Sequence, residues 1–106
     1  MRARSAPRRG ASPDRAEVAR LAHALSDETR LSILERLRSG EECVCNLTGL
    51  LESGQSRLSF HLKVLRDAGL VRARLDGRWM HYAIEPRGLD AVLEYIDRLD
   101  PGRRKP

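Results

Sequence analysis

The sequence has little aromatic surface, with one Phe, one Trp and two Tyr in 106 residues. Leu, Val, Ile and Ala supply the apolar content instead, which suits helices packed on helices. No apolar run approaches the roughly 20 residues a membrane span needs, so no membrane partner is expected. The first 13 residues are Arg-rich but lack the apolar stretch of a secretory signal, and a cytoplasmic location is expected by default. Only Cys43 and Cys45 carry thiols, too few for a disulfide scaffold. There is no phosphate-cradling loop and no nucleophile–base pair in a motif context, so an enzyme is not expected. The length fits one domain, whose modest core would gain from pairing with a second copy.

Acidic residues are absent from both ends. The chain carries a net charge of +5, yet residues 1–13 and 101–106 hold seven of the 20 basic residues and none of the 15 acidic ones. The body between them is slightly acidic. Within it, residues 55–80 hold Arg57, Lys63, Arg66, Arg72, Arg74 and Arg78 against only Asp67 and Asp76. Such a local basic stretch in an acidic body attracts a phosphate backbone. Arg-rich ends alone read equally well as solvated tails.

Periodicity divides the chain into a basic tail over 1–12, one domain over 13–100 and a basic tail over 101–106. The tails have no period and read as disordered. The first helix is expected to begin near Pro13, with Ser12 as its cap and Asp14 favouring the positive end of the dipole. Val18, Leu21, Ala22 and Leu25 form one apolar stripe. Ser26 or Asp27 caps a second helix, with Leu31, Leu34 and Leu37 inward and Gly40 as its stop. A short third helix is predicted over Asn46–Glu52, with Leu47, Leu50 and Leu51 inward, followed by a Ser53-Gly54 turn. A fourth spans Gln55–Ala68 and stops at Gly69. Two extended runs, Leu70–Leu75 and Trp79–Ile84, flank Asp76-Gly77-Arg78, which is a hairpin signal. After Glu85-Pro86 a last helix carries Leu89, Val92, Leu93, Ile96 and Leu99 in a stripe.

A short helix, a Gly-containing turn and a second helix make a helix-turn-helix, and a hairpin directly after it makes a wing. In the fourth helix Leu58, Leu62 and Leu65 must face the core, which leaves Ser56, Ser59, Phe60 and Lys63 toward the other side. Hydroxyls, a base and one exposed aromatic suit a major groove better than a merely solvated face. Gln55, Ser56 and Arg57 occupy the helix N-terminus, the end that enters the groove in this motif. Arg72, Arg74 and Arg78 lie on or beside the wing, within reach of flanking phosphates or the minor groove. His61 can either bond a phosphate or support the fold.

The stretches ALSDETRLSILERL, ECVCNLTGLL, QSRLSFHLKVLRDAGLV and DGRWMHYAI together resemble the ArsR/SmtB family of metal- and metalloid-responsive repressors. The resemblance covers about residues 18–99. Ser59, His61, Leu62, Leu65, Ala68, Gly69 and Leu70 are its most specific part. It implies a mainly α fold with a β-hairpin, a winged helix-turn-helix in the order α-α-α-α-β-β-α. It also implies a homodimer on a double-stranded DNA operator, paired through the first and last helices. Val18, Leu21, Leu25, Leu89, Val92, Leu93 and Ile96 suit that interface, although the same stripes also suit an intrachain core. Phe60 departs from the family, many of whose members carry a basic or polar residue there.

Residues two apart rarely meet disulfide geometry, so Cys43 and Cys45 are expected to be two thiols rather than a bridge. In a regular helix their sulfurs would diverge, whereas an extended connector would put both on one face, able to converge on one soft ion. A thiolate at the N-terminal end of the third helix is also easier to form. Two small buried hydrophobes are the plain alternative. ECVCNL resembles the CVC element of arsenic- and cadmium-responsive members of the family. Many arsenic sensors have a third cysteine where this chain has Thr48. The resemblance therefore implies a two-thiolate site for trivalent arsenic or antimony, with an oxygen or the methyl of methylarsenite in the third position. Cadmium or lead would need further ligands, and a thiol redox switch is a second reading. No cofactor is required for DNA binding. The family's other metal site uses carboxylates and histidines on the last helix. Here that helix has Asp90, Glu94 and Asp97 but no histidine.

Overall fold

The computed structural model describes residues 13–50 and 55–102, with the side chains of Leu50, Gln55 and Ser56 outside the description. The expected tail over 1–12, its Ser12 cap, and Leu51, Glu52 and the Ser53-Gly54 turn lie outside the described residues, as do residues 103–106 of the C-terminal tail.

Helix α1 is Arg15–Leu25. Its cap is Asp14 rather than Ser12: Asp14 is extended, and its Oδ1 accepts from the Glu17 N–H at 2.8 Å. Helix α2 is Glu28–Leu37 and starts from Asp27, whose carboxylate makes no cap bond because it is turned toward α4. Ile33, Leu34 and Leu37 form its inner face. Leu31, expected inward, is exposed, because Arg30 occupies the buried position beside it.

The third helix is earlier and shorter than expected. A two-residue strand β1, Glu42–Cys43, leads into α3, Val44–Leu47, and a single 3-10 turn over Thr48–Leu50 follows. Helix α4 is Gln55–Ala68, as predicted. It ends as a Schellman motif: Gly69 takes φ +91°, its N–H donates to the Arg66 carbonyl at 3.0 Å, and the Leu70 N–H donates to the Leu65 carbonyl at 2.9 Å.

Strands β2, Val71–Asp76, and β3, Trp79–Ile84, form the hairpin. Asp76 pairs with Trp79, so the loop is Gly77-Arg78 rather than three residues beginning at Asp76. Gly77 at φ +65° is the only residue of that loop with positive φ, as a Gly-first type II′ turn requires. The sequence does not announce β1, which pairs antiparallel with β3 and makes a three-stranded sheet in the order β1-β3-β2. Helix α5, Pro86–Leu99, has Pro86 in its first turn and is capped by Glu85, whose carboxylate accepts from the Arg87 N–H at 3.2 Å.

The core joins Leu21 and Ala24 of α1, Ile33 and Leu37 of α2 and Leu47 of α3 to Leu58, Leu62 and Leu65 of α4 and Tyr82 of β3. Gly88 closes one end. A Cβ there would strike the Gly69 carbonyl, backbone that cannot swing aside.

Candidate nucleic-acid interface and cysteine site

The three leucines that fix α4 in the core leave its opposite face to solvent. Ser59 and Lys63 are exposed, Phe60 is 56% exposed, and Arg57 is exposed one turn earlier. Gln55 and Ser56 begin the same helix, but their side chains lie outside the description. Lys63 Nζ donates to Asp67 Oδ2 at 2.9 Å, and this bond holds the Asp67 carboxyl below its usual range. Both groups face water, so the pair is screened and exchangeable.

His61 does not share that face. It is 8% exposed, its Nδ1 lies 3.1 Å from Arg30 Nη1, and its ring meets that of Phe60 in a T-shaped contact with centroids 5.3 Å apart. Its side chain is not placed to meet a phosphate, and of its two readings the structure favours support of the fold.

The three wing arginines differ. Arg74 grips Glu41 with two bonds, from Nε at 3.0 Å and Nη2 at 2.8 Å. That fork is the first cause holding the Glu41 carboxyl below its ordinary value, with the charges of Arg74, His81 and Arg72 adding to it. Arg72 Nη1 donates to the Ile84 carbonyl at 3.2 Å and lies 3.6 Å from Glu85. Arg78 is exposed in the turn, with no carboxylate paired to it among the described residues. The tip therefore carries its charge forward, while Arg72 and Arg74 must change partners to bind a phosphate.

Cys43 is at once the last residue of β1, opposite His81, and the N-cap of α3. Its Sγ accepts from the Cys45 N–H at 3.1 Å. Cys43 is buried and Cys45 is exposed. The two sulfurs are joined in a disulfide, with the Cα atoms 5.1 Å apart, contrary to the expectation of two separate thiols. The reason lies in the backbone. Cys43 is extended at φ −68° and ψ 145°, whereas Cys45 is already helical, and this change of conformation turns the second side chain back toward the first. Neither the fully helical nor the fully extended geometry weighed from the sequence applies. Thr48, in the third-cysteine place, donates its Oγ1–H to the Cys45 carbonyl at 3.1 Å and faces its own backbone.

The apolar stripes divide unevenly. Leu21 is fully buried within the chain and offers nothing to a second copy, which corrects its place among the interface candidates. Val18, Leu25, Leu89 and Val92 are half-buried. Leu93 is 53% and Ile96 46% exposed on α5, and Leu99 extends the same open face. Sequence reasoning missed Arg30 and Glu41 and gave Asp27 only the role of a helix cap. Charged residues read as surface unless paired, and nothing in the sequence says which ones are.

A helix-turn-helix braced by a three-stranded wing, with an open basic face on its second helix, defines a winged helix-turn-helix transcriptional regulator. The family described as bacterial regulatory protein, arsR family, matches residues 27–73. The arsenical resistance operon repressor of Bacillus subtilis is 41% identical over 71 residues, covering 66% of this chain and 68% of that protein. A crystal structure of an ArsR family transcriptional regulator superposes with a TM-score of 0.78 at 26% identity, over 84% of this chain and 92% of that one. The homodimeric winged helix-turn-helix DNA-binding domain of a possible ArsR-family regulator from Mycobacterium bovis gives 0.63 at 30% identity, covering 86% and 91%. The chain belongs to the ArsR family and is related to arsenical resistance operon repressors. These relatives are regulators, a non-enzymatic role. No described helix is long and apolar enough to cross a membrane.

Proposed function

We propose that the chain is a cytoplasmic, homodimeric repressor that leaves its operator when trivalent arsenic or antimony binds Cys43 and Cys45. The observation that carries this reading is the convergence of the two sulfurs at the entry to α3, the helix that precedes the DNA-facing α4. In the proposed dimer the open face of α5, Leu93 and Ile96, pairs with its copy. That pairing sets the two α4 helices about one DNA turn apart, ~34–36 Å. Ser59, Phe60 and Lys63, with Gln55, Ser56 and Arg57 ahead of them, enter the major groove. Arg78 and its neighbours Arg72 and Arg74 hold flanking phosphate.

The effector fits as a two-sulfur ligand. The pair must be reduced first, taking two electrons and two protons from a dithiol reductant. Each thiol then passes its proton to a departing hydroxide of arsenite, so two As–S bonds replace two As–O bonds and two waters leave. The third oxygen, or a methyl group, stays on arsenic, since Thr48 is turned away. Cys45 gives access from solvent, and Cys43 carries the change into the start of α3. Release requires the ligand to prefer the off-DNA conformation, by about 1–3 kcal/mol in typical allosteric proteins.

The joined sulfurs favour a second reading, a repressor switched by oxidation of the same pair. Gel shifts on reduced protein with arsenite, methylarsenite, antimonite, cadmium and peroxide, each titrated separately, decide between them. Release by the arsenicals and antimonite but not by peroxide is expected. Release by peroxide alone would put the redox reading in its place.

A further inference from the structure

Arg30 is a charged side chain with only 6% of its surface exposed, and each of its three nitrogens has a partner. Nε donates to the Ala24 carbonyl at 2.9 Å and Nη2 to the His23 carbonyl at 3.1 Å, both at the C-terminal end of α1. Nη1 points at Nδ1 of His61, 3.1 Å away on α4. One side chain of α2 thus ties the end of α1 to the middle of α4. A guanidinium only donates, so Nδ1 must accept, and the ring is neutral with its proton on Nε2.

We propose that Arg30 is a positioning residue for the DNA-facing helix: through the neutral His61 ring it clamps α4 to the end of α1, and the clamp opens when that ring takes a proton. The inference rests on the reading of α4 as the groove-entering helix. A proton on Nδ1 would set donor against donor and cation against cation at Arg30. A replacement partner stands ready. Asp27 Oδ2, which already stands 3.9 Å from Arg30 Nη1, lies 3.7 Å from Nδ1, is shielded from solvent, and accepts no hydrogen bond among the described residues. Protonation therefore exchanges Arg30 for Asp27 as the partner of Nδ1, which releases one of the guanidinium's three hydrogen bonds and draws the ring toward the start of α2.

The charges acting on the ring, among the described residues, are Asp27 and Arg30 of α2 and Arg57 of α4; α1 presents backbone carbonyls. Burial is the largest influence and pushes the His61 pKa down. The Asp27 charge opposes this, while Arg30 and Arg57 reinforce it. The ring is therefore neutral at pH 7. A base whose folded pKa lies below its unfolded value contributes stability that is complete above the unfolded value, about 6.5, and is lost as pH falls through the folded one.

The test is operator affinity by fluorescence anisotropy on the full chain from pH 7.5 to pH 5, for wild type and His61→Asn. The Asn carbonyl can take the place of Nδ1 as acceptor but does not titrate. The expected wild-type Kd rises on acidification, by at most about tenfold per pH unit for one linked proton, while the variant still binds operator at pH 7.5 and lacks that slope. Long-range proton–nitrogen correlation spectra of the imidazoles should show His61 as the Nε2–H form, with a titration midpoint matching the affinity curve. Equal slopes in both proteins, or an Nδ1–H ring at pH 7.5, would overturn the clamp. Failure of wild type to bind operator at pH 7.5 would instead strike the reading of α4 itself. Circular dichroism over the same range separates opening of the clamp from unfolding: a folded protein with weakened binding supports it, and loss of binding only together with helix content overturns it.

Discussion

The two helices of the helix-turn-helix are built to different standards. Helix α4 has fourteen residues, buries three leucines completely, ends in a Schellman motif and is held from the side by Arg30. Helix α3 has four residues, is extended by one 3-10 turn and is anchored by Leu47. Its N-cap is a cysteine, whose sulfur is a weak acceptor compared with the oxygen of Asp or Ser. On the proposed function the difference separates two tasks. An element that reads bases must keep its geometry, whereas one that reports a captured ion must be cheap to distort, and such elements come from the less stable parts of a fold.

Core truncations give the largest effects and test the contrast directly. Leu62→Ala removes a side chain enclosed by fixed helices and should cost about 4 kcal/mol in urea unfolding, toward the upper part of the usual 2–5 range. Leu47→Ala, under a one-turn helix that can settle into the space, should cost about 2 kcal/mol. Equal costs would mean that α3 is no softer than its neighbour. A smaller effect is expected on the open face of α4. Lys63→Ala should weaken operator binding across sequences and reduce the slope of log Kd against log salt by about one, since Lys63 trades Asp67 for a phosphate. An unchanged slope would leave Lys63 as a surface partner of Asp67 and nothing more. The smallest belongs to the Glu41–Arg74 pair. Glu41→Gln should leave the melting temperature within error, because an exposed fork adds little stability. The same variant should tighten operator binding slightly by freeing Arg74, and weaker binding would show that Glu41 orients the wing instead.

Much of this contrast was legible in the sequence. The leucine spacing of α4 marked its buried face and Gly69 marked its C-terminal end, because long periodic segments with clear stops carry redundant signals. The hairpin followed from β-compatible runs around Asp76-Gly77, although the strand takes in Asp76 and the loop is one residue shorter than expected. The start of α3 was not legible. Its helix begins at Val44, with Cys43 as cap, and β1 is two residues long, too short to show any period. The joined sulfurs follow from that unseen change of backbone. Nor was the burial of Arg30 visible, since nothing in the sequence shows that α4 packs across that position. Leu21 and Leu31 exchanged roles for a related reason: a stripe shows which residues share a face, not what that face meets.

Operator-bound, fully reduced protein titrated with arsenite and followed by fluorescence anisotropy tests the link between the soft helix and the firm one most directly. Wild type should dissociate near one arsenic per chain. Cys43→Ser and Cys45→Ser should bind operator with unchanged affinity and stay bound at the same arsenite concentration. Release of either serine variant at wild-type arsenite levels would contradict the assignment of the pair as the trigger.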